Sequence, residues 1–338
     1  MGLEWKLEKC EFTTKKEDIF RMADWCYQYS PDFIIMESTG VYWVSPLNCL
    51  ERSGLKAYIV NPSSVKGMAG KKTDQNDAEW LAIKGNEGSF KPSYIPTYEW
   101  RMLRDLSRSI TSLTQEVTRL KNRELKMYIQ MGYRLDTVFS DPFGVNAQRA
   151  KDAILAGKSP SQILASIETK RLKASKEELY EAFNGDLDAP RVLVINSLTE
   201  SRRQTEEKIA TMRKYLQDKV EELEPELFSF LQTIPGVDRC HATTLIVELG
   251  GSGFIEAFKD AKRFAAWLGV CPRNKESGGK IYNNQIGHGN RALRSCLCEI
   301  AHAASHANGT SLQSFYRALR GKSGTKKTSS HLLIASQG

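Results

Sequence analysis

Between Leu103 and Met131 apolar residues return at alternating steps of three and four: Leu103, Leu106, Ile110, Leu113, Val117, Leu120, Met127 and Met131. Glu124 fills the one slot that breaks the series. Only a helix keeps such a row on one side, and the spacing is that of a coiled-coil seam. A second row, Ile195, Leu198, Ile209, Met212, Leu216 and Leu223, keeps the same rhythm, with Arg202, Thr205 and Lys219 as polar interruptions. The two helices can pair within a subunit or between subunits. Between them, Leu135 to Pro190 holds Gly144, Gly157, Pro160, Gly185 and the basic run Lys170-Arg171-Leu172-Lys173, which predicts a small helical insertion with a solvated basic face.

Ahead of the first seam the periodicity is different. Leu3 to Phe12 alternates, with Leu3, Trp5 and Leu7 on one side, and predicts an amphipathic strand; Thr14 then caps a helix to about Tyr29. Asp32-Phe33-Ile34-Ile35-Met36-Glu37 reads as a short buried strand ending in a carboxylate, followed by the turn Ser38-Thr39-Gly40. Tyr42 to Arg52 reads as a helix ended at Gly54, and Ala57 to Val60 as a strand stopped by Asn61-Pro62. Alternating strands and helices predict an α/β domain to about residue 95, with Pro92 and Pro96 at its exit.

Within that domain, Thr73 or Asp74 caps a helix in which Asp74 and Asp77 stand three apart on one face. Carboxylates so spaced could share a divalent ion such as Mg²⁺, which takes hard oxygen ligands. The alternative is that Asp74 caps the helix and Asp77 complements its dipole. Glu37 is a third acid in a suggestive place, because sites collect at strand ends in open α/β sheets.

In the C-terminal part, Phe228 to Leu245 reads as helix, tight Pro235-Gly236 turn, helix. That is similar to a helix-hairpin-helix, whose backbone N–H groups can hold a DNA phosphate without reading sequence. Phe264 to Leu268 then runs into Gly269 and Pro272, and a Gly-rich loop exposes Ser277 between Lys275 and Lys280. Such a serine could approach a phosphodiester whose charge the lysines offset, or the segment is an ordinary surface loop. Cys298, His302 and His306 share a helical face at four-residue steps but lack a fourth ligand, so a packed or partly exposed helix is the expectation.

Composition adds limits. A chain of 338 residues suggests about two domains, and 48 Lys plus Arg against 40 Asp plus Glu give a net charge of +8 that favours a polyanionic partner. Seven cysteines without a CxxC pair suit a reduced, cytoplasmic protein. No apolar run approaches a membrane span, and no signal-peptide core follows Met1, so no membrane partner is expected.

The ordered segments "ESTGVYW", "VNPSSVKG" and "KTDQNDAEWLA" resemble the N-terminal domain of the DEDD transposases of the insertion-sequence one-ten family, mobile-element recombinases with a RuvC-like, RNase H-type nuclease domain. The resemblance implies that Glu37, Asp74 and Asp77 are the second, third and fourth acids that bind Mg²⁺. Family members begin with a Gly-Ile-Asp strand bearing the first acid and a further strand. Neither precedes Leu3, and Asp18, Asp24 and Asp32 stand outside that motif. The expectation is therefore a start lying upstream or a decayed copy, and no DNA cleavage by these 338 residues alone. In the second half, "LGxxP", "ESxGK", Gly289-Asn290 and Leu293-Arg294 match the segment that carries the family's nucleophilic serine, which implies that Ser277 attacks DNA and holds it through a phosphoserine link. Gly236, Arg239, Arg273, Lys280, Asn290, Arg291 and Arg294 are then candidate nucleic-acid contacts. The family also implies DNA as substrate, a structured guide RNA from the element, and a homo-oligomer, dimer or tetramer. The closing helix resembles a shortened version of the family's own.

The expected fold is α/β plus all-α. An RNase H/RuvC-like domain lacking its first strands occupies 1–95, a coiled-coil stalk with a helical insertion 96–226, and an α-helical domain with the helix-hairpin-helix and the Ser277 loop 227–338. Alternative functions are a non-catalytic nucleic-acid-binding remnant and a junction-resolving nuclease that uses the acids alone.

Overall fold

The computed structural model describes residues 6–61, 74–170, 172–258, 260–270, 275–277, 280–283 and 289–323, with the backbone alone at 74–76, 275–277, 280–283 and 319–323. The chain divides into two compact units, Met1–Glu99 with Gly253–Ala257, and Trp100–Ser252 with Phe258–Gly338.

In the first unit, α1 (Lys16–Gln28) is followed by β1 (Ile34–Glu37), α2 (Val44–Arg52), β2 (Ala57–Val60) and α3 (Asp74–Asn86). Asp18 anchors the start of α1 by accepting from the Thr13 N–H at 3.1 Å and hydroxyl at 2.6 Å. β1 and β2 are parallel, in register from Ile34 opposite Ala57 to Glu37 opposite Val60. Successive strand residues face opposite ways. Ile34 and Met36 accordingly join Ile19 and Ala23 of α1 and Cys49 and Leu50 of α2 in one apolar cluster. Complete burial of Leu50 stabilises this unit by roughly 1.5–3 kcal/mol. Phe33 and Ile35 face the other way and receive α3 at Gly85, where a Cβ would come within 2.7 Å of Ile35 Cδ1 and 3.3 Å of Phe33 Cε2.

Two expectations are corrected here. Residues 6–12 form no strand, and Leu3 and Trp5 lie outside the described residues. Alternation supplies two faces but no edge to pair with; side chains hold this segment instead, through Glu8 to the Tyr29 hydroxyl, Lys9 Nζ to Glu79 Oε2 at 2.8 Å, and Phe12 to Trp25 with ring centroids 5.9 Å apart. Helix α2 starts at Val44, not at Tyr42, which leaves Tyr42 in the turn before it.

The second unit is built on α4 (Tyr98–Gln130), whose first two residues belong to the first unit, and α9 (Ala189–Leu223). Between them lie α5 (Leu135–Val138), α6 (Val145–Leu155), α7 (Pro160–Ala165) and α8 (Lys176–Ala182). These short helices enclose a core of their own, including Leu135, Ile154, Ile163, Leu179 and Phe183, which takes in Tyr128 from α4 and Ile195 from α9. The insertion is therefore helical, and Lys170 and Lys173 of the basic run are exposed.

One polar break of each seam meets the other, Glu124 and Arg202. Glu124 of α4 is 1% exposed, accepts from Lys151 Nζ of α6 at 2.9 Å, and lies 3.4 Å from Arg202 Nε of α9. Lys151, itself 1% exposed, also sits 3.4 Å from the centroid of the Phe143 ring. The long helices thus touch within one chain.

Beyond α9 come α10 (Pro225–Gln232), α11 (Arg239–Leu249), α12 (Phe254–Ala257, in the first unit), α13 (Ala261–Leu268), β3 (Lys275–Ser277), β4 (Lys280–Asn283), α14 (Arg291–His306) and α15 (Ser311–Ser323). Asp260 caps α13 by accepting from Arg263 N at 2.7 Å, and Gly269 ends it in the left-handed conformation at φ +74°. Around Ser277, where the sequence predicts a Gly-rich loop in an otherwise helical domain, stand two short strands, β3 antiparallel to β4.

Candidate active site

Glu37 is the last residue of β1 and is half-buried. Its strand register continues one residue further, where Ser38 N donates to Val60 O at 3.0 Å. Thr39 Oγ1 donates to Glu37 Oε1 at 2.6 Å, fixing the carboxylate in the turn. Gly40 takes φ +56°, and Trp43 Nε1 donates to Gly40 O at 3.2 Å. A left-handed residue is what lets so short a turn close, which glycine does without steric cost.

Strand alternation puts Glu37 on the side of Phe33 and Ile35, the side on which α3 packs. Asp77 lies near the start of α3, eight residues before Gly85, and is half-buried. Asp74 opens the same helix, and its side chain lies outside the described residues. Glu79 is held by Lys9 at 2.8 Å. All three candidate ligands are carboxylates, the hard oxygen donors that suit Mg²⁺. Among the described side chains, which exclude that of Asp74, no three from His, Cys, Asp or Glu are gathered as a metal would require.

Ser277 belongs to the second unit. It is the final residue of β3, opposite Lys280 of β4, so it stands at the end of a hairpin rather than within a loop. The side chains of Lys275, Ser277 and Lys280, and the whole of Arg273, lie outside the described residues.

The Pro235-Gly236 turn does join two helices, α10 and α11. Gly236 has φ +89°, and a Cβ there would stand 2.7 Å from Ile300 O and 2.8 Å from Ala304 N of α14. Neither atom can move without distorting that helix. Gly236→Ala is expected to lower stability by about 2 kcal/mol from left-handed strain and overpacking, read as a lower midpoint in urea; an unchanged midpoint would contradict this packing.

Arg239 donates to Glu221 Oε2 at 2.8 Å and lies 5.1 Å from the Phe228 ring centroid. Asp238 caps α11 by accepting from His241 N at 2.8 Å. Asn290 is the N-cap of α14, accepting from Leu293 N at 3.1 Å, while its amide donates to Glu248 Oε2 at 2.6 Å. Arg291 is exposed at the first position of α14, and Arg294 follows, half-buried.

Glu248 is the group that sequence reasoning missed. It is 0% exposed on α11 and accepts from Arg108 Nε and Nη2, both at 3.0 Å; Arg104 Nη2 donates to its backbone oxygen at 2.6 Å. Its carboxylate holds Arg108 above the ordinary guanidinium pKa through those hydrogen bonds. The available signal was an acid inside the apolar run Leu245 to Leu249. Cys298, His302 and His306 are all exposed on α14, with His306 Nδ1 2.9 Å from His302 O.

Residues 4–129 match a family model for DEDD transposases of the IS110 type, described as "Transposase". Residues 229–317 match the model described as "Transposase IS116/IS110/IS902 family". Among curated proteins, the "Pilin gene-inverting protein" of Moraxella bovis is 24% identical over 331 residues, covering 95% of this chain and 83% of the relative. Its namesake in Moraxella lacunata has the same identity and coverage. A "Probable family 20 transposase" of Pseudomonas aeruginosa is 22% identical over 291 residues, covering 84% of this chain and 74% of the relative.

Proposed function

The chain belongs to the IS116/IS110/IS902 family of transposases, DNA-processing enzymes, and from that premise we propose that it cuts and rejoins DNA at a mobile element using Mg²⁺-binding acids and a serine nucleophile. The observation that carries the reading is the order of the two matches: the first contains Glu37, Asp74 and Asp77, the second contains Ser277.

Glu37, Asp74 and Asp77 would hold the metal in an RNase H-like domain. Bound there, Mg²⁺ supplies positive charge to the phosphodiester as its bonds exchange. The Ser277 hydroxyl oxygen forms a bond to phosphorus while one sugar oxygen leaves that phosphorus. The serine proton is given up, and the departing sugar oxygen takes one, so charge balances. The strand stays attached as a phosphoserine ester until the hydroxyl of a second strand reverses the step. Arg273, Lys280, Arg291 and Arg294 offset backbone charge, with Gly236 and Arg239 at a second phosphate; Asn290 steadies the α14 terminus. A structured RNA selects the DNA by base pairing, and a homo-oligomer supplies acids and serine together. The net charge of +8 supports polyanion binding.

The test expresses the protein from its own gene with the element's DNA ends and looks for a covalent protein–DNA adduct after denaturation. The adduct is expected for the unaltered protein and absent for Ser277→Ala. Strand resolution that persists in Ser277→Ala without any adduct would favour a junction nuclease using the acids alone.

A further inference from the structure

The turn that carries Glu37 also displays an aromatic ring. Val41 and Tyr42 are 76% and 69% exposed, whereas Trp43 beside them is half-buried and anchored through its indole N–H to Gly40 O at 3.2 Å. The Tyr42 ring lies along the bare backbone of Gly40, with Cδ2 and Cε2 3.5 and 3.6 Å from where a Cβ would stand. One residue earlier, Thr39 holds the Glu37 carboxylate at 2.6 Å. Carboxylate, hydroxyl, glycine and ring therefore form one continuous short turn.

Exposure of this kind contributes little to folding, because burial is what makes an aromatic side chain stabilising. Single exposed apolar residues are ordinary. Here two are consecutive, they lie beyond the carboxyl ends of paired parallel strands where ligands bind, and they adjoin a fixed carboxylate. A phosphodiester brought to that carboxylate carries its base within reach of the turn. A base lifted from its stack loses contact energy that an aromatic face restores without regard to sequence.

We propose that Tyr42 is a stacking residue that receives an unpaired nucleobase of the DNA strand whose phosphodiester lies at Glu37. This rests on the reading of Glu37 as one of the acids of the DNA site. Val41 forms the adjoining apolar edge of the same platform.

The experiment uses the full chain with an oligodeoxynucleotide bearing one 2-aminopurine in an unpaired stretch between duplex arms, in Ca²⁺ buffer. Stacking quenches 2-aminopurine, so the unaltered protein is expected to quench it on binding. Tyr42→Phe and Tyr42→Trp retain the quench, and Tyr42→Leu loses it and binds about tenfold more weakly. Because the ring is exposed, Tyr42→Leu keeps its thermal melt; should it not fold, Tyr42→Trp decides, and loss of quench there overturns the proposal. A Tyr42→Leu protein that quenches and binds like the original overturns it, as does quenching confined to RNA of the same sequence. Glu37→Gln separates the two readings when the adduct is assayed in Mg²⁺ with protein expressed from its own gene: quench retained with the adduct lost supports both, whereas an undiminished adduct sinks the acid-site reading alone.

Discussion

Glu124→Leu is expected to destabilise the second unit by about 3–5 kcal/mol, because it leaves Lys151 charged, buried and without its carboxylate. Lys151 is 1% exposed; its other surroundings are the Phe143 and Tyr128 rings, Arg202, which is a second cation, and the weaker field of Asp141. Water cannot enter to replace Glu124 without opening the core of the insertion. Replacing the pair together, Glu124→Leu with Lys151→Met, removes both charges and is expected to restore most of the loss, since desolvating an ion pair largely offsets its attraction. Equal melting of the single and double variants would refute this account.

The same pair gives a pH test with a definite sign. Burial lowers the Lys151 pKa in the folded protein, and Glu124 opposes that fall. Without Glu124 the folded value drops further, while the unfolded lysine stays near 10.5. Between those two values the unfolded chain binds the additional proton, so stability rises with pH across the window. Glu124→Leu is expected to regain stability from its lower folded value up to about 10.5, and the unaltered protein over a narrower range. Denaturant midpoints measured at successive pH values decide it.

Glu248→Gln is the second large effect, a loss of about 2–4 kcal/mol. The carboxylate ties α4, α11 and the N-cap of α14 together, and an amide cannot accept from all its donors. Arg104 keeps its bond to the Glu248 backbone oxygen but loses the charge 3.5 Å from its Nε on a side chain only 14% exposed, whereas Arg108, 51% exposed, recovers part of its solvation. Asn290 should also loosen, so hydrogen exchange at Leu293 N is expected to accelerate more than the general fall in stability requires. Exchange that follows global stability at every α14 amide would show that Glu248 does not act through the cap.

The elements legible in the sequence were those whose signal is local. Ile34 to Glu37 and Ala57 to Val60 were bounded by turn residues, and Gly54, at φ +73°, stands where the α2 segment was expected to end. The seams located α4 and α9 because a period of three and four admits one conformation. The same period marks where a polar residue falls without naming its partner: Glu124 and Arg202 read as breaks, and Lys151, 27 positions from Glu124, lay in a segment with no seam. The β3–β4 hairpin was hidden because Gly278-Gly279 signals a loop as readily as a hairpin turn. Glu37 was visible as a strand-end acid. Tyr42 was not, because the predicted helix had absorbed it.

Helix α9 runs for 35 residues, roughly 52 Å of rise and about the length of fifteen base pairs of duplex. One end is gripped at Ile195 by the insertion, and near the other Gln217 bonds to Cys240 at 3.2 Å. It is a strut with both ends clamped. A displacement imposed at the insertion is therefore expected to reach the start of α11 along one continuous helix, and Lys208→Gly midway, at a cost of about 1 kcal/mol, would soften that path while leaving each end folded.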